Sequence, residues 1–87
     1  MNQYNLVKEI IKMCQYFNVM DYVVNDCYVE KKIIDGLEDI IFVENLLNVF
    51  YKKMKCKKYQ KSLNQNRLKK LLIELEKIRL NLEFEGV

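Results

Sequence analysis

The sequence predicts an all-α fold, a small three- or four-helix bundle built on a long antiparallel helical hairpin of residues 35–58 and 62–83. Three observations carry that prediction. Apolar residues recur at steps of three and four through long segments, the spacing that lines one face of a 3.6-residue helix. Two capping patterns fall at the starts of the two longest segments. Only Tyr59, Gln60 and Lys61 then lie between those segments, and so short a connection forces the chain to double back.

The elements follow in order. Leu6, Ile10, Met13 and Phe17 are spaced four, three and four, with Val7, Ile11 and Cys14 widening the stripe and Lys8, Lys12 and Gln15 opposite it. This is a surface helix with one buried face. Residues 19–34 admit two readings. Tyr22 to Val24 and Cys27 to Val29 flank Asn25-Asp26 as a short β-hairpin would, but that turn lacks the Gly that makes it comfortable. Helix, with Asp21 or Asp26 as its N-cap, is the favoured alternative.

Asp35-Gly36-Leu37-Glu38 has the capping-box pattern, which places a helix start at Asp35. The helix continues through Ile40, Val43, Leu47, Phe50 and Met54, with Phe42, Leu46 and Val49 apolar on a second side, as a central helix would be. Over residues 35–58 it would be about 36 Å long. Ser62-Leu63-Asn64-Gln65 repeats the capping pattern and opens the most regular segment, Leu68, Leu71, Leu75, Ile78 and Leu82. Its length over 62–83 would be about 33 Å, nearly matched to its predecessor. Packing the first helix against this hairpin completes the bundle.

Eighty-seven residues suffice for one core, so residues 1–87 read as a single domain. Apolar residues make up 51% and charged residues 31%, which separates the chain from disordered tails and membrane proteins. The longest uninterrupted apolar run is Ile40 to Val43, and Lys8, Glu9 and Lys12 interrupt any apolar leader near the start. Neither export nor a membrane span is expected. Cys14, Cys27 and Cys56 are odd in number and show no CxxC spacing, which fits a reducing, cytoplasmic compartment.

Catalysis is poorly supported. There is no His to act as base or metal ligand, the lone Ser62 has a capping role, and Gly36 and Gly86 form no phosphate loop. Glu38 and Asp39 are neighbours that diverge on a helix and are better explained by its N-terminal dipole. The expectation is a protein that is not an enzyme, with no catalytic residues, no metal and no cofactor.

Charge is regional. Net charge is +3, yet residues 1–51 hold four Lys against eight acidic residues, and residues 52–79 hold eleven Lys and Arg against Glu74 and Glu76. The hairpin would gather Lys52, Lys53, Lys55, Lys57, Lys58 and Lys61 with Arg67, Lys69 and Lys70 at one end. Lysines suit the C-terminus of the first long helix, but Arg67, Lys69 and Lys70 gain nothing from the dipole of the second. Lys53, Lys57, Lys58, Lys61, Arg67, Lys69 and Lys70 are therefore candidate contacts to phosphates or to an acidic protein, with Tyr51 and Tyr59 placed to stack on bases. The plain alternative is a solvated end. A helix-turn-helix docking through Gly36 is rejected, because Asp35, Glu38, Asp39 and Glu44 would face phosphate.

Ile73, Leu80 and Phe84 form a second stripe, behind Leu71, Leu75 and Ile78. Either the segment 19–34 or the first helix covers it, or it is exposed and binds another chain or a second copy. The heptad regularity keeps a homodimer in view. Cys56 should face outward as an incidental thiol.

Together these features predict a non-catalytic helical binding module, a small regulatory or inhibitory protein of a phage or mobile element acting by protein–protein contact. Its partner would be a larger protein or nucleoprotein. The alternative is a nucleic-acid-binding accessory protein using the basic hairpin tip.

Overall fold

The computed structural model describes residues 2–19, 26–61 and 64–85. These form α1 (Gln3–Tyr16), α2 (Asp26–Gly36), α3 (Ile40–Lys55) and α4 (Asn64–Glu85), and no strand occurs among the described residues. Helix α1 packs on α2, α2 on α3, α3 on α4, and α4 closes back on α1. Neighbours in sequence touch in a closed ring, which makes a small all-α four-helix bundle.

Helix α1 starts where Asn2 accepts a 2.8 Å hydrogen bond from the Asn5 amide. It stops because Asn18 adopts a left-handed backbone, φ 54°, which Asn tolerates better than most residues. The Val19 amide then donates to the Cys14 carbonyl and the Asn18 amide to Gln15, which caps the last turn in a Schellman arrangement. Within residues 19–34, helix α2 occupies everything from Asp26 onward, so Cys27 to Val29 are not a hairpin arm. Tyr22 to Val24 lie outside the described residues.

The helix start expected at Asp35 is incorrect. Asp35 and Gly36 are the last residues of α2, and the following amides are already engaged: Leu37, Glu38 and Asp39 donate to the carbonyls of Ile33, Asp35 and Gly36. With no orphan amide for Asp35 to satisfy, the cap passes to Asp39, whose carboxylate accepts the Ile41 amide at 3.0 Å. Nor is α3 central. It stands at a corner of the ring, and its two apolar sides face α2 and α4.

The same helix ends at Lys55 rather than at residue 58. Lysines three and four apart repel along its last turn, and leaving the helix at Cys56 lets Tyr59 pack edge-on against Phe17, ring centroids 4.7 Å apart. Helix α4 spans Asn64–Glu85 where 62–83 was expected. Ser62, its expected N-cap, lies outside the described residues, whereas Gln65 donates its side-chain amide to the Met54 carbonyl at 3.3 Å. Gln65 therefore caps the end of α3 and fastens the hairpin at its tip.

The core follows the predicted stripes. Leu6, Ile10, Met13 and Phe17 of the α1 segment are buried, as are Val43, Leu47 and Phe50 of α3 and Leu68, Leu71 and Leu75 of α4. Val29, Ile33 and Leu37, spaced by four, are buried in the second corner of the ring. Gly36 is a packing residue, since a Cβ there would lie 2.5 Å from the ring of Phe42. Cys14 is fully buried, and burial alone pushes its thiol pKa up to about 11.

Two outcomes are expected. Gly36→Ala should destabilise the bundle by about 1–3 kcal/mol in urea unfolding, because overpacking against Phe42 outweighs the helix-propensity gain; a more stable variant would mean that Phe42 does not close on this position. For Cys14, the native state favours the protonated thiol more than the unfolded chain does, so its contribution is intact below pH 9 and is lost as pH rises from 9.0 toward 11. Cys14→Ala should flatten the fall in stability over that window by roughly 2–3 kcal/mol relative to wild type, measured by denaturant unfolding at each pH.

Candidate docking surface

Helix α4 carries apolar side chains on opposite faces. Leu68, Leu71, Leu72 and Leu75 enter the core, while Ile73, Leu80 and Phe84 point outward with exposures of 56%, 47% and 82%. Neither α1 nor the described part of residues 19–34 covers that second stripe. Other exposed apolar residues, such as Tyr4, Tyr28 and Ile41, lie on other helices, and singly exposed apolar residues are ordinary. Three on one helical line are a surface feature.

Beside the stripe, α3 and α4 leave an open groove of ≈ 500 Å³ whose apolar lining includes Met54, Leu72, Ile73 and Leu80. Lys69 and Lys77 also line it, and Lys77 lies 3.7 Å from Glu74. Tyr51 forms part of the wall and donates its hydroxyl to Glu76 at 3.0 Å. Glu76 also accepts from Arg79 at 2.9 Å, and Arg79 reaches Glu83 at 2.7 Å. The Arg79 hydrogen bond holds the Glu76 carboxyl below its ordinary range, while desolvation and the bond to Glu76 push the Tyr51 phenol up. The chain of bonds therefore favours ionised Glu76 and protonated Tyr51, and it fixes the groove wall across two helices.

The basic end forms as the doubling back requires. The Gln65 bond to Met54 sets the first turn of α4 beside the last turn of α3, so Lys53, Lys57, Lys58 and Lys61 share one end of the bundle with the start of α4. The cations nevertheless diverge. Arg67 turns to α1 and makes two 2.9 Å hydrogen bonds to Glu9, whereas Lys69 lines the groove and Lys70 is exposed. Among the described residues no carboxylate pairs with Lys57, Lys58, Lys61, Lys69 or Lys70.

The two tyrosines sit in different surroundings. Tyr51 belongs to the groove through its bond to Glu76, and Tyr59 is half-buried against Phe17 and Tyr16 with Lys53 and Lys58 over its ring. Tyr51 stays exposed at the groove wall, whereas the ring of Tyr59 is partly covered by these contacts. Tyr59 anchors the lysine-bearing turn to α1 by aromatic and cation–π contacts.

The sequence reading missed the Tyr51–Glu76 and Arg67–Glu9 pairs, which are 25 and 58 residues apart and depend on how the helices are rotated. No periodicity announces such pairs. Among the described residues, no group of three or more His, Cys, Asp or Glu residues is arranged to hold a metal ion, and no helix is long and apolar enough to cross a membrane. Cys56 is exposed at the basic end, as the helical spacing indicated.

In comparisons with models of protein families, with curated proteins and with solved structures, the chain matches none, so its outward stripe, groove and basic end are the features from which a function is to be inferred.

Proposed function

We propose that this protein is a non-catalytic binding module, a small regulatory or inhibitory protein of a phage or mobile element that acts by protein–protein contact through the outer face of α4 and the adjoining groove. The outward line of Ile73, Leu80 and Phe84 carries this reading. Helix α4 already buries Leu68, Leu71, Leu72 and Leu75, so the second stripe is not needed to hold it in the bundle. Each outward residue would release apolar surface from water on docking, at about 25 cal/mol per Å². The groove beside the stripe gives a partner side chain a concave seat of the kind interface anchors fill.

Ile73→Asp or Leu80→Asp should abolish capture of the partner from the native host, read by quantitative mass spectrometry against the wild-type chain. Helicity should be unchanged and stability should shift by no more than about 0.5 kcal/mol, as at other exposed positions. Unfolding of either variant would place the stripe in the core and remove the reading.

A second reading rests on the unpaired lysines of the tip and would make the chain a nucleic-acid-binding accessory protein. Cations there would displace the counterions of a phosphate backbone, so binding should weaken steeply with salt. Replacing Lys57, Lys58 or Lys61 with Gln should each reduce the log–log salt slope by about one. Absence of any oligonucleotide shift in low salt excludes this reading.

A further inference from the structure

We propose that the basic end of the hairpin holds the phosphate backbone of a nucleic acid without reading its sequence, and that the chain docks on that backbone end-on. The proposal rests on the nucleic-acid reading of the tip and names its ligand class and footprint. From Lys52 to Lys70 the sequence contains no Asp or Glu, and six lysines fall between residues 52 and 61. Among the described residues no carboxylate pairs with any of the six. They are carried on a built turn. The Cys56 amide donates to the Lys53 carbonyl, the Tyr59 amide to Cys56 and the Gln60 side chain to Lys55, while the Tyr59 ring is held against Phe17 and Tyr16. Like charges held this close repel, and a polyanion relieves the repulsion.

The groups that read bases are committed elsewhere. Bidentate readout of a base edge takes an arginine or a carboxamide. Arg67 donates twice to Glu9, and Arg79 is bound to Glu76 and Glu83. Gln60 and Gln65 donate to the carbonyls of Lys55 and Met54, and Asn64 also has a partner. Of the carboxamides in residues 60–66 this leaves Asn66, too little to specify a site. Tyr51 is exposed but bonded to the Glu76 carboxylate, so a strand stacked on it would bring its phosphates to a negative charge. What remains is ammonium against phosphate, a contact indifferent to sequence. Polarity along the bundle then fixes the orientation. Helices α3 and α4 run antiparallel from the tip, so Glu38 and Asp39 before α3 and Glu83 and Glu85 at the close of α4 stand at the opposite end. Helix α3 sets Asp39 about 24 Å from Lys55, beyond the screening length of about 8 Å at physiological salt. A backbone laid along the bundle would meet those carboxylates, whereas one crossing the turn meets the lysines.

Fluorescence anisotropy with short labelled duplexes of unrelated sequence, and with their single strands, tests this on the full chain. Affinities should agree across duplexes to well within the roughly tenfold that one read base pair confers. The log–log salt slope should be about −3.5 to −5.5, four to six phosphates at about −0.9 each, and shallower on single strands. Lys57→Gln, Lys58→Gln and Lys61→Gln together should reduce the slope by about 2.7 on every duplex with helicity unchanged. Glu38→Gln and Glu85→Gln should leave it as in wild type. Bound duplex should slow alkylation of Cys56, exposed in the turn between Lys55 and Lys57. A tenfold spread among duplexes, single strands bound more tightly than duplex, or binding that leaves Cys56 unprotected overturns the proposal and keeps the nucleic-acid reading. Polyglutamate bound as tightly as duplex overturns it in favour of an acidic protein. No binding to any strand in low salt removes both the proposal and the reading beneath it, and leaves the outer face of α4 untouched.

Discussion

The close antiparallel packing of α3 on α4 governs the rest of the molecule. Val43, Leu47 and Phe50 meet the leucines at 68, 71, 72 and 75 in a continuous apolar seam. The seam is fastened at the tip by Gln65 on Met54 and farther along by Tyr51 on Glu76. Once that seam is set, the faces of α4 are no longer interchangeable. Leu71 and Leu75 must face inward, and the helical repeat then turns Ile73, Leu80 and Phe84 out. The outward stripe is a consequence of the register and does not depend on the loops.

Helices α1 and α2 complete the core from the other side. The Phe17 ring lies 6.4 Å from that of Phe50 and 4.7 Å from that of Tyr59, so one aromatic residue at the end of α1 bridges the bundle interior and the turn after α3. Arg67 on Glu9 adds a paired hydrogen bond on the surface between α4 and α1. An exposed pair contributes at most about 1 kcal/mol, so its role is chiefly to orient α1 on the hairpin. In the α2–α3 corner, Gly36 allows Phe42 to approach the backbone. Small size makes such close approaches count, since a domain of this length has little surplus burial.

Much of the fold was legible because helical periodicity is a local property. The stripes through Leu6–Phe17, Val43–Phe50 and Leu68–Leu75 can be read by counting in threes and fours, and each is buried. Boundaries were less legible where two caps compete within five residues. Asp35 and Asp39 both precede apolar runs, and only the direction of Val29, Ile33 and Leu37, which draws α2 one turn further, decides between them. Of the candidate site, the doubling back and the second stripe follow from spacing. The directions of Arg67, Tyr51 and Tyr59 do not, because each depends on the relative rotation of packed helices. That rotation separates a gathered basic end from cations that share one target.

The charges of α4 run against its dipole. Its first turn contains no acidic residue and its last turn no basic one, while Arg67 stands near the start and Glu83 and Glu85 stand at the end. Helix α3 does the opposite, with the Asp39 carboxylate at its start and Lys52, Lys53 and Lys55 in its last turn. Misplaced charges cost about 0.3–1 kcal/mol each at a helix end, and the effect fades beyond the first turn. Arg67 recovers that cost on Glu9, and Glu83 recovers it on Arg79. Lys69 and Lys70 have no carboxylate among the described residues, and they lie beside the outward apolar stripe. A lone solvated helix gains nothing from this arrangement. It is favourable where a docking surface brings carboxylates to the basic end and apolar side chains to the stripe.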